Sequence, residues 1–269
     1  SCVMTFEPHP KEFFSPEQAP PRILNLRDKL AALADLGIDR VVVEHFNSAF
    51  ARLSPDEFVS EIIVKQLNTK WILIGDDFCY GAKRAGNFAS LKAAGEKYGF
   101  EVSSIHTVLE DGERISSSAL RTALANGDMQ QAEKLLGRPY GISGHVIHGQ
   151  QLGRQLGFPT LNLAVANHLH HRKPATTGIF TARVLGLGPE PLPAVASLGV
   201  RPTVEDEGRV LLETHIFDFE QDVYGKIITV ELLEKIRDEA KYDDLDTLTK
   251  AIAADAMHAR NYFQKKAYV

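Results

Sequence analysis

The chain has few cysteines, no long apolar run and no excess of positive charge, and each absence excludes a class of protein. Neither of its two cysteines, Cys2 and Cys79, lies in a CxxC pair, so we expect reduced thiols and no disulfide framework. No apolar run approaches the roughly 20 residues that cross a bilayer, and no signal-peptide pattern opens the chain. These features predict a cytoplasmic protein with no membrane partner.

The charge and composition predict an ordinary globular protein. The formal net charge is −5 at pH 7, which argues against a nucleic-acid partner because phosphate neutralisation needs a basic face. Hydrophobic residues make up 44% of the 269 positions and charged residues 24%, enough for a real core. The length favours two domains, and the sequence leaves the oligomeric state open.

The first half of the chain alternates short apolar runs with helical patterns. Residues 41–43 and 71–75 are β-rich runs of the kind buried on both faces of a parallel sheet. Ser54 followed by Pro55 and Glu57 is typical of a capped helix start. Helices are predicted over residues 26–36, 58–67 and 88–98. This order predicts a doubly wound α/β sheet, with its ligand crevice at the carboxyl ends of the strands.

The pattern changes after residues 137–141, which follow two short predicted helices at 119–125 and 129–136. Strand-like runs between Gly/Pro turns occupy residues 142–148, 180–187, 194–198, 210–217 and 227–236. Such a series predicts an antiparallel barrel or sandwich. Apolar residues at helical spacing over residues 243–265 predict a helix that covers it. We expect domains at residues 1–139 and 140–269.

A glycine-rich segment with a Pro-Thr-x-Asn string opens the second half, over residues 144–163. Glycines at this spacing let backbone N–H groups approach an anion, as phosphate-binding loops require. Thr160 and Asn162 are two residues apart, so on a strand their oxygens share one face and can help hold Mg²⁺. The alternative, which composition alone favours, is a turn-rich hairpin whose Thr160 and Asn162 bond local backbone.

Glu213 interrupts an apolar strand pattern at residues 211–217. Its carboxylate lies either on a solvated face or in a barrel mouth, where desolvation makes it a better base toward a hydroxyl. Alternation alone favours the solvated face.

Three hydroxyls, on Ser116, Ser117 and Ser118, precede a predicted helix that carries Arg121 in its first turns. They form either a plain N-cap or an anion site, in which the free N–H groups and Arg121 receive a phosphate. The two alternatives stay open on these residues alone.

Two loops follow predicted strands at the carboxyl end of the α/β sheet. Residues 6–10 and 75–81 both place aromatic side chains beside polar groups, which favours a planar ligand over ordinary rigid loops. His168, His170 and His171 cluster in a polar stretch without the partners of a zinc site, so we expect a solvated loop there.

The order of these pieces resembles the bacterial bifunctional riboflavin kinase/FAD synthetase family over nearly the whole chain. One such string is weak evidence, but eight in the right order are strong. The strings that carry the resemblance begin in the first half with residues 5–10, 53–59, 75–81, 115–121 and 136–140. They continue in the second half with residues 153–163, 199–203 and 224–226, the last leading to Ile236 and Arg237.

The resemblance implies a Rossmann-like nucleotidyltransferase domain followed by an antiparallel six-stranded Greek-key β-barrel with a C-terminal helix. The barrel would phosphorylate riboflavin with ATP, and the α/β domain would transfer AMP from ATP to FMN. The expected partners are therefore riboflavin, FMN and ATP, with Mg²⁺ as cofactor. One rival is a riboflavin kinase with an inactive α/β domain, and another is a flavin-binding protein without catalysis.

Roles carry over to the matching positions as expectations. Glu213 would be the catalytic base, and Thr160 and Asn162 would bind Mg²⁺ with ATP, which overturns the solvated-face preference for Glu213. The resemblance assigns nucleotide binding to Gly149, Gly153, Arg154, Gly157, Thr160, Asn162, Ser116, Ser117, Ser118 and Arg121. It assigns flavin binding to Phe6, Pro8, His9, Asp77, Phe78 and Arg237.

The family also has an H-x-G-H signature, whose histidines stabilise the α-phosphate. It is expected some tens of residues before Phe6, and the sequence begins too late to contain it. The α/β domain is thus expected to be incomplete at its N-terminus. We expect such a chain to form FMN but little FAD, which parallel assays of both products test; robust FAD output would contradict this.

Overall fold

The computed structural model describes residues 1–75, 77–105, 108–110, 112–149, 152–165, 174–200 and 210–266. Within these ranges the strands are β1 Cys2–Glu7, β2 Arg40–His45, β3 Trp71–Gly75, β4 Glu101–Ile105, β5 Leu109–Glu110, β6 Glu113–Arg114, β7 Tyr140–Ile147, β8 Leu161–Ala164, β9 Gly178–Leu185, β10 Leu192–Val200, β11 Val210–Ile216 and β12 Ile227–Arg237.

The α-helices in the same ranges are α1 Pro10–Phe14, α2 Leu26–Asp35, α3 Pro55–Glu57, α4 Phe88–Tyr98, α5 Ser117–Asn126, α6 Met129–Leu136, α7 Leu152–Gln155 and α8 Leu245–Lys266. A π-helix, Phe58–Gln66, follows α3, and Ser54 caps α3 in the predicted capping box with Glu57. Across the described stretches, no helix combines the length and apolarity that a bilayer crossing requires.

Contacts divide the chain into two compact units. The first comprises Ser1–Ala19 and Ile38–Arg114, and the second comprises Pro20–Gly37 and Ile115–Val269. Helix α2 therefore belongs to the second unit, although β1 and β2 on either side of it in the sequence belong to the first. The domain limits 1–139 and 140–269 stay a prediction.

The first unit contains two parallel strand pairs with helices between them. β1 pairs with β2 and β3 pairs with β4, so the predicted parallel α/β character is confirmed. The predicted burial of residues 71–75 on both faces is wrong, because Trp71 is 54% exposed and Leu73 is 44% exposed. Ile72 and Ile74 pack on the core instead, so β3 alternates as a strand with one covered face does.

The second unit is built on a closed six-stranded barrel, which confirms the predicted architecture. Its strand order is β10, β11, β8, β7, β12 and β9, and all of these pairings are antiparallel. Phe180, Leu163 and Leu212 are fully buried in its core. The predicted closing helix is α8, whose Ala256 and Ala259 pack against Val195 on the barrel.

Helix α2 is joined to the barrel by polar contacts at β7. The Asn25 side chain, which caps α2, donates through Nδ2 to the Ser143 carbonyl at 3.2 Å. The Ser143 backbone N–H and hydroxyl both donate to the carboxylate of Asp28. Burial raises the pKa of Asp28 above its ordinary 3.8, and the bonds from Ser143 oppose that rise.

The raised pKa of Asp28 predicts a pH-dependent stability. Between pH 3.8 and the raised pKa, the folded protein binds more protons than the unfolded chain, so the free energy of unfolding falls as pH rises across that window. Asp28→Asn should make this slope shallower in urea unfolding measured from about pH 4 to 7. Asp35→Asn, at an exposed position of the same helix, is the control. An unchanged slope in Asp28→Asn would contradict the prediction.

Candidate active site

One row of side chains crosses five neighbouring strands of the barrel. In the strand pairing, Glu213 on β11 lies opposite Asn162 on β8 and Ser197 on β10. Ile179 on β9 continues the row from Ser197 to Arg237 on β12. Residues directly opposite each other on paired strands point to the same face. All five line one cavity of about 240 Å³.

The cavity lies between the outer face of the barrel and helix α8. Leu212 and Thr214, the neighbours of Glu213 in the chain, are fully buried on the other face of β11. Glu213 therefore lies on the outer face, as its alternation predicts. That face is covered here by α8, whose Leu248 and Ile252 line the same cavity. The site is thus neither a solvated surface nor the mouth of the barrel.

Asn162 is the most enclosed polar residue of the row. It is 5% exposed, and its Oδ1 has no hydrogen-bond partner within the described part of the chain. Gly149 lies directly against this amide, and a Cβ at position 149 would overlap it. Thr160, just before β8, lines the same cavity. The glycine at 149 therefore makes room for the Asn162 side chain.

A second cavity of about 480 Å³ opens beside the first in the same unit. Thr160 lines both cavities, and Arg154, Asp222 and Tyr224 line the second one. The Tyr224 ring stacks on His148 with 3.7 Å between centroids. Thr160 thus stands between two spaces, one bearing Glu213 and the other an arginine and an aromatic ring.

The glycine-rich loop forms a compact turn around α7. The backbone N–H groups of Leu156 and Phe158 donate to the Gly153 carbonyl, and that of Gly157 donates to the Arg154 carbonyl. Gly157 has a φ of +84°, which is the left-handed region. Gly153 lines the first cavity, so the loop contributes to its wall. These backbone bonds form a turn, but they do not involve the Thr160 and Asn162 side chains that the hairpin alternative required.

Arg237 is held by a buried acid that the sequence did not single out. Its Nε and Nη2 donate to the two carboxylate oxygens of Asp255 at 2.9 and 2.6 Å. Asp255 lies on α8 and is 6% exposed, and this pairing raises the pKa of Arg237 above its ordinary value. No motif marks Asp255, because α8 reaches β12 only in the folded chain.

His215 and Glu239 are two further cavity residues that sequence reasoning missed. His215 follows Glu213 by two residues, a spacing that puts both on one strand face, and its Nδ1 lies 2.8 Å from the Pro159 carbonyl oxygen. That spacing was the signal available for His215. Glu239 follows β12, where no strand pattern predicts its direction.

The three serines and Arg121 also lie in the second unit, at the start of α5. The Ser116 hydroxyl accepts from the Ala119 N–H at 3.2 Å, which is the N-cap of the plainer alternative. Arg121 donates through Nε to the Pro21 carbonyl at 2.8 Å, and through Nη1 to the Ser117 carbonyl. Ser117 and Ser118 are exposed.

The first unit brings its two predicted flavin-side loops onto one chain of aromatic rings. Phe6 contacts Phe50, Phe50 contacts Phe58, and Phe58 contacts Tyr80, with centroids 5.4 to 6.1 Å apart. Phe78 stacks on Tyr80 at 5.8 Å. The loops after β1 and β3 therefore share one aromatic cluster.

The polar residues of these two loops are placed by local bonds. His9 caps α1, because its Nδ1 accepts from the Lys11 N–H at 3.2 Å and its backbone N–H donates to the buried Glu12. The Pro8 peptide bond is cis, and Asp77 is exposed.

The cysteines and the histidine cluster are the remaining candidate ligands. Within the stretches that the structure describes, no group of three or more His, Cys, Asp and Glu residues is placed to hold a metal ion. Cys2 and Cys79 are free thiols. His168, His170 and His171 lie outside the described residues.

Comparison with known families matches both halves of the chain. A riboflavin kinase model matches residues 136–263 and an FAD synthetase model matches residues 1–119. The fold and these two matches define the class of protein. It is an enzyme of flavin-cofactor synthesis with a riboflavin kinase part and an FAD synthetase part. The chain belongs to the bifunctional riboflavin kinase/FMN adenylyltransferase family, as its motifs predict. Both matches together favour the bifunctional interpretation over the kinase-only alternative.

Individual relatives agree with this assignment. The chain is 46% identical over 261 residues to the bifunctional riboflavin kinase/FMN adenylyltransferase of Escherichia coli K12, covering 97% of this chain and 82% of that protein. It is 42% identical to that of Haemophilus influenzae, covering 97% and 83%. A crystal structure described as a macrolide-efflux protein from Streptococcus pneumoniae is 32% identical, with a TM-score of 0.75 and coverage of 97% and 83%.

Proposed function

We propose that this protein phosphorylates riboflavin to FMN in the cavity between the barrel and α8. We propose that it adenylylates FMN to FAD with residues 1–119, which the FAD synthetase model matches. One observation carries the proposal. Asn162, Glu213 and Arg237 lie on a single row across the barrel and line one covered cavity. That row falls within the segment that the riboflavin kinase model matches.

We assign the role of general base to Glu213. A carboxylate beside the terminal hydroxyl of riboflavin accepts the proton as that oxygen attacks the γ-phosphate of ATP, with ADP as leaving group. Apolar walls from Ile179, Val195, Leu248 and Ile252 suit the flavin ring. Arg237, held in place by Asp255, offers its remaining N–H donors to the flavin.

Two adjoining cavities support a ternary arrangement with riboflavin and ATP. The second cavity has Arg154 for phosphate charge and Tyr224 for stacking, which fits a nucleotide. Thr160 borders both spaces, at the position where the γ-phosphate has to meet the hydroxyl. We therefore place ATP on the Arg154 side and riboflavin on the Glu213 side, with Gly149, Gly153 and Gly157 in the loop between.

The Thr160 and Asn162 oxygens fit a magnesium ion that arrives with ATP. The Oδ1 of Asn162 is buried and has no hydrogen-bond partner among the described residues, so it is an acceptor that a cation would satisfy. Two neutral oxygens suit Mg²⁺, which keeps phosphate and water among its ligands. When bound, the ion would neutralise charge on the phosphates. The protein's own contribution is to fix these two oxygens next to Glu213.

For the adenylyltransferase activity, the proposal assigns flavin contacts to Phe6, Pro8, His9, Asp77 and Phe78. The aromatic cluster that joins both loops supports a planar ligand there. Ser116, Ser117, Ser118 and Arg121 are assigned to nucleotide phosphates, because a helix N-terminus such as that of α5 presents backbone N–H groups and the positive dipole end to an anion.

The proposal is tested by following FMN and FAD separately. Purified protein with riboflavin, ATP and Mg²⁺ should release FMN and ADP. Protein that also carries the H-x-G-H signature should release FAD and pyrophosphate from FMN and ATP. FMN output without FAD from protein with that signature would favour the kinase-only alternative. Flavin binding without either product would favour the non-catalytic one.

A further inference from the structure

Glu239 lines the cavity between the barrel and α8 but takes no part in the chemistry proposed above. It follows β12 by two residues and shares the cavity with Glu213 and Arg237. A carboxylate at this place therefore needs a reason of its own.

The Glu239 carboxyl is placed against the backbone of Gly199. Gly199 lies on β10, two residues after Ser197 and on the same strand face. Ser197 is the residue that pairs with Glu213. A Cβ at position 199 would overlap both carboxylate oxygens of Glu239. Gly199, which belongs to the motif at residues 199–203, thus allows the Glu239 carboxyl to approach the side of the barrel that carries Glu213.

Three carboxyl groups and one arginine line this cavity among the described residues. The described titratable groups that share it with Glu239 are Glu213 and His215 from β11, Arg237 from β12, Tyr242 from the following segment and Asp255 from α8. The Arg237 charge is matched by the Asp255 carboxylate. Burial and then the Glu213 charge raise the pKa of Glu239, and Arg237 opposes that rise. Two carboxylates thus interact across the space in which the substrate hydroxyl would react.

We propose that Glu239 makes this cavity selective for a flavin with an uncharged polyhydroxyl chain over one that bears a phosphate. The inference rests on the proposed kinase function. Carboxylates accept hydrogen bonds from hydroxyl groups but repel a phosphate dianion. The buried Asn162 amide, whose Oδ1 lacks a partner among the described residues, marks the same cavity as a ligand site. Glu239 therefore weakens the hold on FMN after transfer and favours its release.

The test compares FMN inhibition with riboflavin use in Glu239→Gln. Transfer of labelled γ-phosphate from ATP to flavin reports kinase turnover even when FMN is consumed further. The ratio of the FMN inhibition constant to the riboflavin KM should fall about fivefold or more in this variant, as expected for loss of a like charge close by. Glu239→Asp, which keeps the charge, should stay near the wild-type ratio. Glu190→Gln, at an exposed loop position, is the control.

Salt and a second variant separate charge from shape. Raising the ionic strength should lower the wild-type ratio toward that of Glu239→Gln, because salt screens the repulsion. Gly199→Ala should displace the Glu239 carboxyl and lower the ratio without removing its charge. An active wild type whose ratio is the same in Glu239→Gln, or a Glu239→Asp that behaves like Glu239→Gln, overturns this inference alone. A wild type that labels no flavin overturns the proposed kinase function and this inference with it.

Discussion

Replacing Glu213 with Gln is expected to lower kcat for FMN formation by about 100- to 10,000-fold, the usual contribution of a positioned base. Gln keeps the size of the side chain and can still hydrogen-bond the hydroxyl, but it cannot accept the proton. Riboflavin should therefore bind with nearly unchanged affinity. The measurement is single-turnover phosphoryl transfer together with flavin fluorescence titration.

Matched variants make this result specific. Glu190→Gln makes the same chemical change at an exposed position and should keep wild-type turnover. A Glu213→Gln protein that retains turnover within threefold of wild type would remove Glu213 from the mechanism. Loss of flavin binding together with turnover would instead assign Glu213 to substrate binding.

Asn162→Leu is expected to weaken use of Mg²⁺-ATP by roughly 10- to 100-fold, the cost typical of lost metal-site contacts. The same variant should unfold at an equal or higher denaturant concentration than wild type. The reason is that Leu has a similar size and removes a buried oxygen that has no partner in the described structure. Kinase rates measured against Mg²⁺ concentration, together with urea unfolding, check both parts.

Thr181→Val provides the matched control for Asn162→Leu. Thr181 is fully buried and its hydroxyl, like the Asn162 Oδ1, has no partner among the described residues, but it lines neither of the two cavities described above. It should show the same direction of stability change with no change in Mg²⁺ dependence. If Asn162→Leu lost stability and kept its kinase rate, Asn162 would be a core residue only.

Local signals in the sequence were sufficient for much of the fold. The helix at residues 88–98 was predicted with its observed bounds, because Gly99 in the left-handed region ends it. The capped helix start at Ser54 was also predicted, because its capping hydrogen bonds join Ser54 and Glu57, which are only three residues apart. Periods of two and of 3.6 residues distinguished the barrel strands from α8.

The position of Glu213 shows where local patterns stop. Alternation correctly placed its side chain on the outer face of β11, away from Leu212 and Thr214. It did not indicate that α8 covers this face, because the contact joins segments more than thirty residues apart in the chain. Burial of a strand face depends on what packs against it, and the sequence of that strand alone does not indicate its packing partner.

The sequence by itself determined the order of elements, the family and the residue types of the site, because periodicity, caps and motif strings are local properties of the chain. Only the tertiary structure decided that Asn162, Glu213 and Arg237 share one row, that Asp255 holds Arg237, and that Glu239 lies against Gly199. Those relations depend on strand register and barrel closure. Register and closure are set by packing among residues that are distant in the chain, so no single segment of the sequence determines them.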